Sequence, residues 1–278
     1  MLIALAGGAL LAYPASFVLT GVPFSSLRRT LQPALRPDRQ PAVCSLDDAV
    51  QCSPPSVTAA RHAGWLNTLL PAYIAGLVIM AVLALGLWAL DLSQVDQRQA
   101  FTPAFFGTAL LKGLIAGIGA GLVEETLFRG ALYSGLQQRI NVTWAILLTS
   151  LLYSAVHFIE YPEPAGDVHW LTGLQLFPAA MTKLSDPLVF DHFLTLFLLG
   201  VLLCLLRLRD GHIWRAFAVH AGIIMVLKLD GYITNPVTGG SHDWLVNAGD
   251  ARLGWLSTFW LLALVLVYGI DCYRRRPA

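Results

Sequence analysis

About seven stretches of this sequence stay apolar for the thickness of a lipid bilayer, and this constrains the fold before any other feature does. A hydrocarbon core about 30 Å thick takes roughly 20 apolar residues in a helix. No water serves backbone N–H and C=O groups there, so segments that close their own hydrogen bonds are favoured, and helices do this best. The stretches are 1–20, 65–90, 101–138, 142–159, 188–206, 213–229 and 253–270. Composition agrees, because only 13% of residues are charged against roughly 25% in soluble domains. The expected fold is all-α, a polytopic transmembrane helix bundle of about seven spans, or eight if 101–138 crosses twice.

The same numbers exclude other classes. Eighteen Lys and Arg, scattered and nearly balanced to a net charge of +1, do not build a phosphate-binding face, so nucleic acid is not an expected partner. The lipid bilayer is. The four cysteines show no metal-ligand spacing such as C-x2-C.

Three regions follow. Residues 1–100 hold N-terminal transmembrane helices and a polar loop, 21–64, with six prolines and five arginines. The stretch 1–20 reads as a first span, with a signal peptide as the alternative. Cys44 and Cys52 would pair if that loop is extracytoplasmic and stay as thiols if it is cytoplasmic. Residues 101–229 form the core, and 230–278 a loop plus the last helix. Arg274, Arg275 and Arg276 after that helix place the C-terminus in the cytoplasm. Counting back puts Arg207, Arg209 and Arg139 on the same side and the acidic 160–187 loop on the other. Asp191 and His192 read as a solvated span entrance.

Region 101–138 is too long for one ordinary span, since 38 helical residues would reach about 57 Å. Lys112 divides it into an interfacial part, 101–112, and a crossing part, 113–136. Gly113, Gly117 and Gly121 recur at spacing four, a pattern that lets helices approach closely and reads here as a packing face. At its end stands Val123-Glu124-Glu125-Thr126-Leu127-Phe128-Arg129-Gly130. Ionisable groups this deep are costly and usually face a bundle interior or a water cavity. Glu125 and Arg129 are an i,i+4 pair, while Glu124 is rotated by about 100° and stays free for another partner.

Two later spans carry histidines, His157 in Tyr153-Ser154-Ala155-Val156-His157 and His220 in Phe217-Ala218-Val219-His220-Ala221. One carboxylate and two imidazoles in apolar spans suit three chemistries. A desolvated Glu is a good general base that a His can assist. Glu124, His157 and His220 also match a common catalytic zinc ligand set. A proton relay in a transporter is the third.

The order and spacing of these groups resemble the CPBP family of intramembrane proteases, related to the type II CAAX prenyl endopeptidases and to bacteriocin-immunity proteins. Its E-E-x-x-x-R motif is matched by Glu124, Glu125 and Arg129. Its F-x-x-x-H motif is matched at His157, with Tyr153 in the Phe place. Its H-x-x-x-N motif is matched at His220, with Ile224 in the Asn place. The resemblance covers roughly residues 113–225. It implies a peptidase of a bacterial cytoplasmic membrane acting on a peptide or membrane-protein substrate, with Glu124, His157 and His220 catalytic. On that implication Glu124 activates water with His157, and His220 stabilises the oxyanion. Glu125, Arg129, Tyr153 and Ile224 then support the site, and the mechanism is either metal-free or uses a divalent metal such as zinc. An inactive immunity or scaffolding protein, favoured by Ile224, and a proton-coupled transporter remain the alternatives.

Overall fold

The computed structural model describes residues 65–159, 172–247 and 252–274. The expected first span, the 21–64 loop with Cys44 and Cys52, and the Arg275–Arg276 end lie outside the described residues. What is described is a helical bundle with five helical segments long and apolar enough to cross a membrane, plus one shorter apolar helix.

Helix α1 spans Trp65–Ala89. A short strand β1, Ser93–Val95, leads to α2, Pro103–Glu125, whose start is fixed by Thr102 capping the Phe105 N–H and by Pro103 in the first turn. A π turn over Thr126–Leu132 joins it to α3, Tyr133–Gln137. Together they form one apolar rod of 35 residues, Pro103–Gln137, about 52 Å long. The expected division at Lys112 is therefore no break in the helix. Lys112 instead lies over the Tyr232 ring, 5.8 Å from its centroid, where the rod reaches the end of another helix.

After α3 the chain turns at Asn141, which caps α4, Val142–Val156. At 15 residues this helix reaches only about 22 Å, short of a bilayer core, and it stops at His157. Helix α5, Thr172–Ala180, precedes two short 3-10 turns and α6, Phe190–Asp210, which ends on Gly211 in the left-handed conformation. Helix α7 covers Trp214–Ile233. Strand β2, Thr234–Pro236, pairs antiparallel with β1, a ribbon the all-helical expectation did not contain. Helix α8, Trp255–Arg274, closes the bundle.

Helix α7 is the hub. It packs along α1 and α2 and touches α6, and α6 packs in turn on α4 and α8. Close approach depends on glycine: a Cβ on Gly117 would collide with the Ala221 carbonyl, and one on Gly222 with the Tyr73 carbonyl. Gly113 and Gly121 meet Met225 and Phe217 on the same helix, so the glycine series is the packing face expected. The outward faces stay apolar, as with Ile115 at 63% and Val267 at 68% exposure. Such a surface suits lipid and would be a liability in water.

One expectation is corrected. Asp191 is not a solvated helix end but is buried, 7% exposed. Its Oδ1 accepts the His192 N–H at 2.7 Å and the Asn247 side-chain N–H at 2.7 Å. The loop before α8 folds back over the start of α6 and brings Asn247 there, a long-range contact that local sequence does not display.

Candidate active site

The acidic motif sits where the α-helix widens into a π turn. The Tyr133 N–H bonds the Phe128 carbonyl, five residues back, and the Ser134 hydroxyl donates to the Arg129 carbonyl at 3.2 Å. Such turns are frequent at functional sites. Glu125 and Arg129 remain paired across this change. Arg129 Nη1 donates to Glu125 Oε1 at 2.9 Å, and both side chains are completely buried. The guanidinium also donates from Nη2 to the Gly200 carbonyl at 3.2 Å and lies 4.5 Å over the Tyr153 ring. Sequence reasoning missed Gly200. Its role depends on a close crossing of α4 and α6, where an added Cβ would stand 2.9 Å from Ser150 Cβ. A glycine facing a serine on another helix leaves no periodic signal along the chain.

Glu124 has a different environment. Its side chain is 16% exposed, and its Oε2 lies 3.9 Å from His157 Nε2 and 3.7 Å from His220 Nε2. These separations are too long for direct hydrogen bonds, and Oε2 has no hydrogen-bond partner. The two rings are held from behind. His157 Nδ1 lies 2.7 Å from the Tyr153 carbonyl. His220 Nδ1 lies 2.9 Å from Glu125 Oε1. A carbonyl and a carboxylate only accept, so both Nδ1 atoms carry hydrogen and both Nε2 atoms turn toward Glu124. His157 is the exposed member at 31%, against 3% for His220, so the cleft opens past the end of α4.

Tyr153 closes the far wall. It is 1% exposed, and its hydroxyl lies 3.4 Å from His220 Nε2. Its ring meets Phe128 edge-on at 5.1 Å and His157 at 4.7 Å. Ile224 stands one helical turn beyond His220 on α7 and supplies no hydrogen bond. Asn235 and Asn247 do not replace it. The first lies in the ribbon and serves Asp96, and the second is committed to Asp191.

Glu124, His157 and His220 are the donors a zinc site would use, and each imidazole has the outer acceptor that metal-bound histidines usually have. Among the described residues no group of three His, Cys, Asp or Glu side chains is gathered closely enough to form a metal site as they stand.

The polytopic helical bundle encloses a carboxylate, two imidazoles and a buried ion pair, and its apolar helices fit an integral membrane protein. Residues 106–226 match the family of Type II CAAX prenyl endopeptidase Rce1-like proteins. The match supports, over this part of the chain, the CAAX-protease-like family that its motifs resemble. No curated protein and no solved structure matches the chain.

Proposed function

We propose that the chain is an intramembrane endopeptidase in which Glu124 is the general base. The observation that carries this reading is Glu124 Oε2, unpartnered and facing two imidazole Nε2 atoms at 3.9 and 3.7 Å. A water seated there gives a proton to Glu124, assisted by His157, and its oxygen attacks the peptide carbonyl carbon. The carbonyl electron pair moves to oxygen, and His220, in the form that carries hydrogen on both ring nitrogens, donates its Nε2–H to the resulting oxyanion. The proton then passes to the leaving nitrogen as the C–N bond breaks. General base catalysis of this kind contributes about 10²- to 10⁴-fold. Glu125 and Arg129 act behind the site: they orient His220 and lock the π turn to α6.

The substrate is a peptide or membrane-protein segment reaching the site past His157, the more exposed imidazole. The basic end of the bundle, with Arg207, Arg209 and Arg215 near the α6–α7 turn and Arg274 on α8, faces the cytoplasm of a bacterial inner membrane, by the positive-inside rule. The mechanism proposed is metal-free, so chelators leave activity intact.

The test is a comparison of peptide termini in membranes of cells carrying the wild type or Glu124→Ala. The expected result is a set of termini present only with the wild type, while the variant accumulates in the membrane to the same level. Identical termini in the two would overturn the reading.

A further inference from the structure

We infer that the Tyr153 hydroxyl is a catalytic hydrogen-bond donor to the oxyanion, acting beside His220 in the place where Ile224 offers none. The assignment rests on the peptidase reading above and adds a residue to it.

The stabilisation of a tetrahedral oxyanion depends on preorganised donors in a site shielded from water. Around the cleft, Glu124 and Glu125 are acceptors, and the Arg129 Nη1 and Nη2 atoms are engaged with Glu125 and the Gly200 carbonyl. His157 Nδ1 is held by a carbonyl. On α7, Ile224 follows His220 by four residues, on the same helix face, with a side chain that cannot donate. The Tyr153 O–H is the neutral donor left at the His220 end.

Its geometry suits the role. A tyrosine is more demanding here than a phenylalanine, because a buried hydroxyl requires a partner. The contact it makes, 3.4 Å to His220 Nε2, is at the weak limit of a hydrogen bond, and the hydroxyl also neighbours the Glu124 carboxylate. The hydroxyl is therefore aimed at the cleft rather than spent on structure. The ring is immobilised on several sides, by Phe128, by His157 and by the Arg129 guanidinium over its face. A rigid donor loses little on meeting the oxyanion. In the reaction, His220 holding both protons gives Nδ1–H to Glu125 and Nε2–H to the oxyanion, and Tyr153 O–H becomes the second donor. No proton need leave Tyr153: its bond to the oxyanion forms as the carbonyl π pair moves to oxygen and is released as the C–N bond breaks.

The experiment uses the full chain in liposomes and a synthetic peptide spanning one of the Glu124-dependent cleavage points. Tyr153→Phe is expected to lower kcat about 100- to 1000-fold, the loss typical of one oxyanion donor, with KM changed by less than about threefold. Adding Ile224→Asn to Tyr153→Phe is expected to return at least about tenfold of that loss, because an amide one turn past His220 restores a donor to the same cleft. The hydroxyl has no such role if Tyr153→Phe keeps wild-type kcat. It has none either if kcat falls together with the melting temperature and Ile224→Asn restores nothing. If Glu124→Ala cleaves the peptide as fast as wild type, the peptidase reading falls and takes this assignment with it. Glu124→Ala inactive beside a fully active Tyr153→Phe removes this assignment alone.

Discussion

Two buried polar clusters lie inside this apolar bundle, and they are finished differently. At the junction of α6 and α8, the Thr195 hydroxyl lies 2.7 Å from the Thr258 hydroxyl and 2.9 Å from the Asp191 carbonyl. Ser257 donates to the Gly254 carbonyl at 2.8 Å, and Asn247 to Asp191 at 2.7 Å. Every side chain named there has a partner. Around Glu124, by contrast, Glu124 Oε2, Glu125 Oε2 and Arg129 Nε have none. Buried polar atoms in native proteins are nearly always satisfied, so exceptions call for an explanation. The satisfied cluster is a structural joint. The unsatisfied one leaves Glu124 Oε2 without a partner, the atom to which the proposed reaction assigns the water proton.

The difference recurs within the acidic motif itself. Glu125 is fully buried against Arg129 and His220, whereas its neighbour Glu124 is partly exposed and its Oε2 has no hydrogen-bond partner. The largest stability effect is therefore expected at Arg129→Ala. It leaves the Glu125 carboxylate buried without its guanidinium, a loss of about 3–5 kcal/mol, read as a lowered melting temperature in detergent. Glu124→Gln should melt with the wild type while losing cleavage. Equal melting of Arg129→Ala and wild type would break the contrast between the two glutamates.

At the structural joint, Thr195→Val is expected to cost about 1–3 kcal/mol by stranding its partners, with kcat on the probe peptide unchanged. Loss of activity without loss of stability there would show that the two clusters are not separate in role. The smallest effect belongs to the extramembrane ribbon. Asp96 is held at a pKa of about 2, below its ordinary 3.8, chiefly by the Arg98 side-chain hydrogen bond and then by the Arg98 backbone N–H. A lowered carboxyl pKa stabilises the fold above the unfolded value and stops doing so as pH falls through the folded one. The advantage of wild type over Asp96→Asn should be flat above about pH 4 and vanish toward pH 2 in melting curves. A constant difference across that range would remove Asp96 from the list of pH-sensitive contacts.

Much of this was legible along the chain. The long helices from 65 onward follow from apolar length alone, whereas α5, Thr172–Ala180, lies in a stretch read as a loop; the 113–121 glycines announced a close crossing that proved to be with α7. The i,i+4 pairing of Glu125 with Arg129 is a local relation, and it is formed as spacing predicts. The order of the three motifs was enough to point to the family. Less legible were contacts between helices far apart in sequence. Gly200 as acceptor for Arg129, Asn247 folded onto Asp191, and the Tyr153 hydroxyl beside His220, 67 positions away, leave no trace in composition or period.

The sequence by itself determined that the chain enters a membrane, where its helices run and which residues are too polar to face lipid. The tertiary structure alone decided which of those polar residues meet. Lipid tails and a bundle interior are equally apolar, so hydropathy does not mark the face that a helix turns to its neighbour. That choice fell to close backbone crossings at Gly117, Gly200 and Gly222 and to the π turn at 126–132. They rotate Glu125 into the protein against Arg129 and leave Glu124 facing two histidines from α4 and α7.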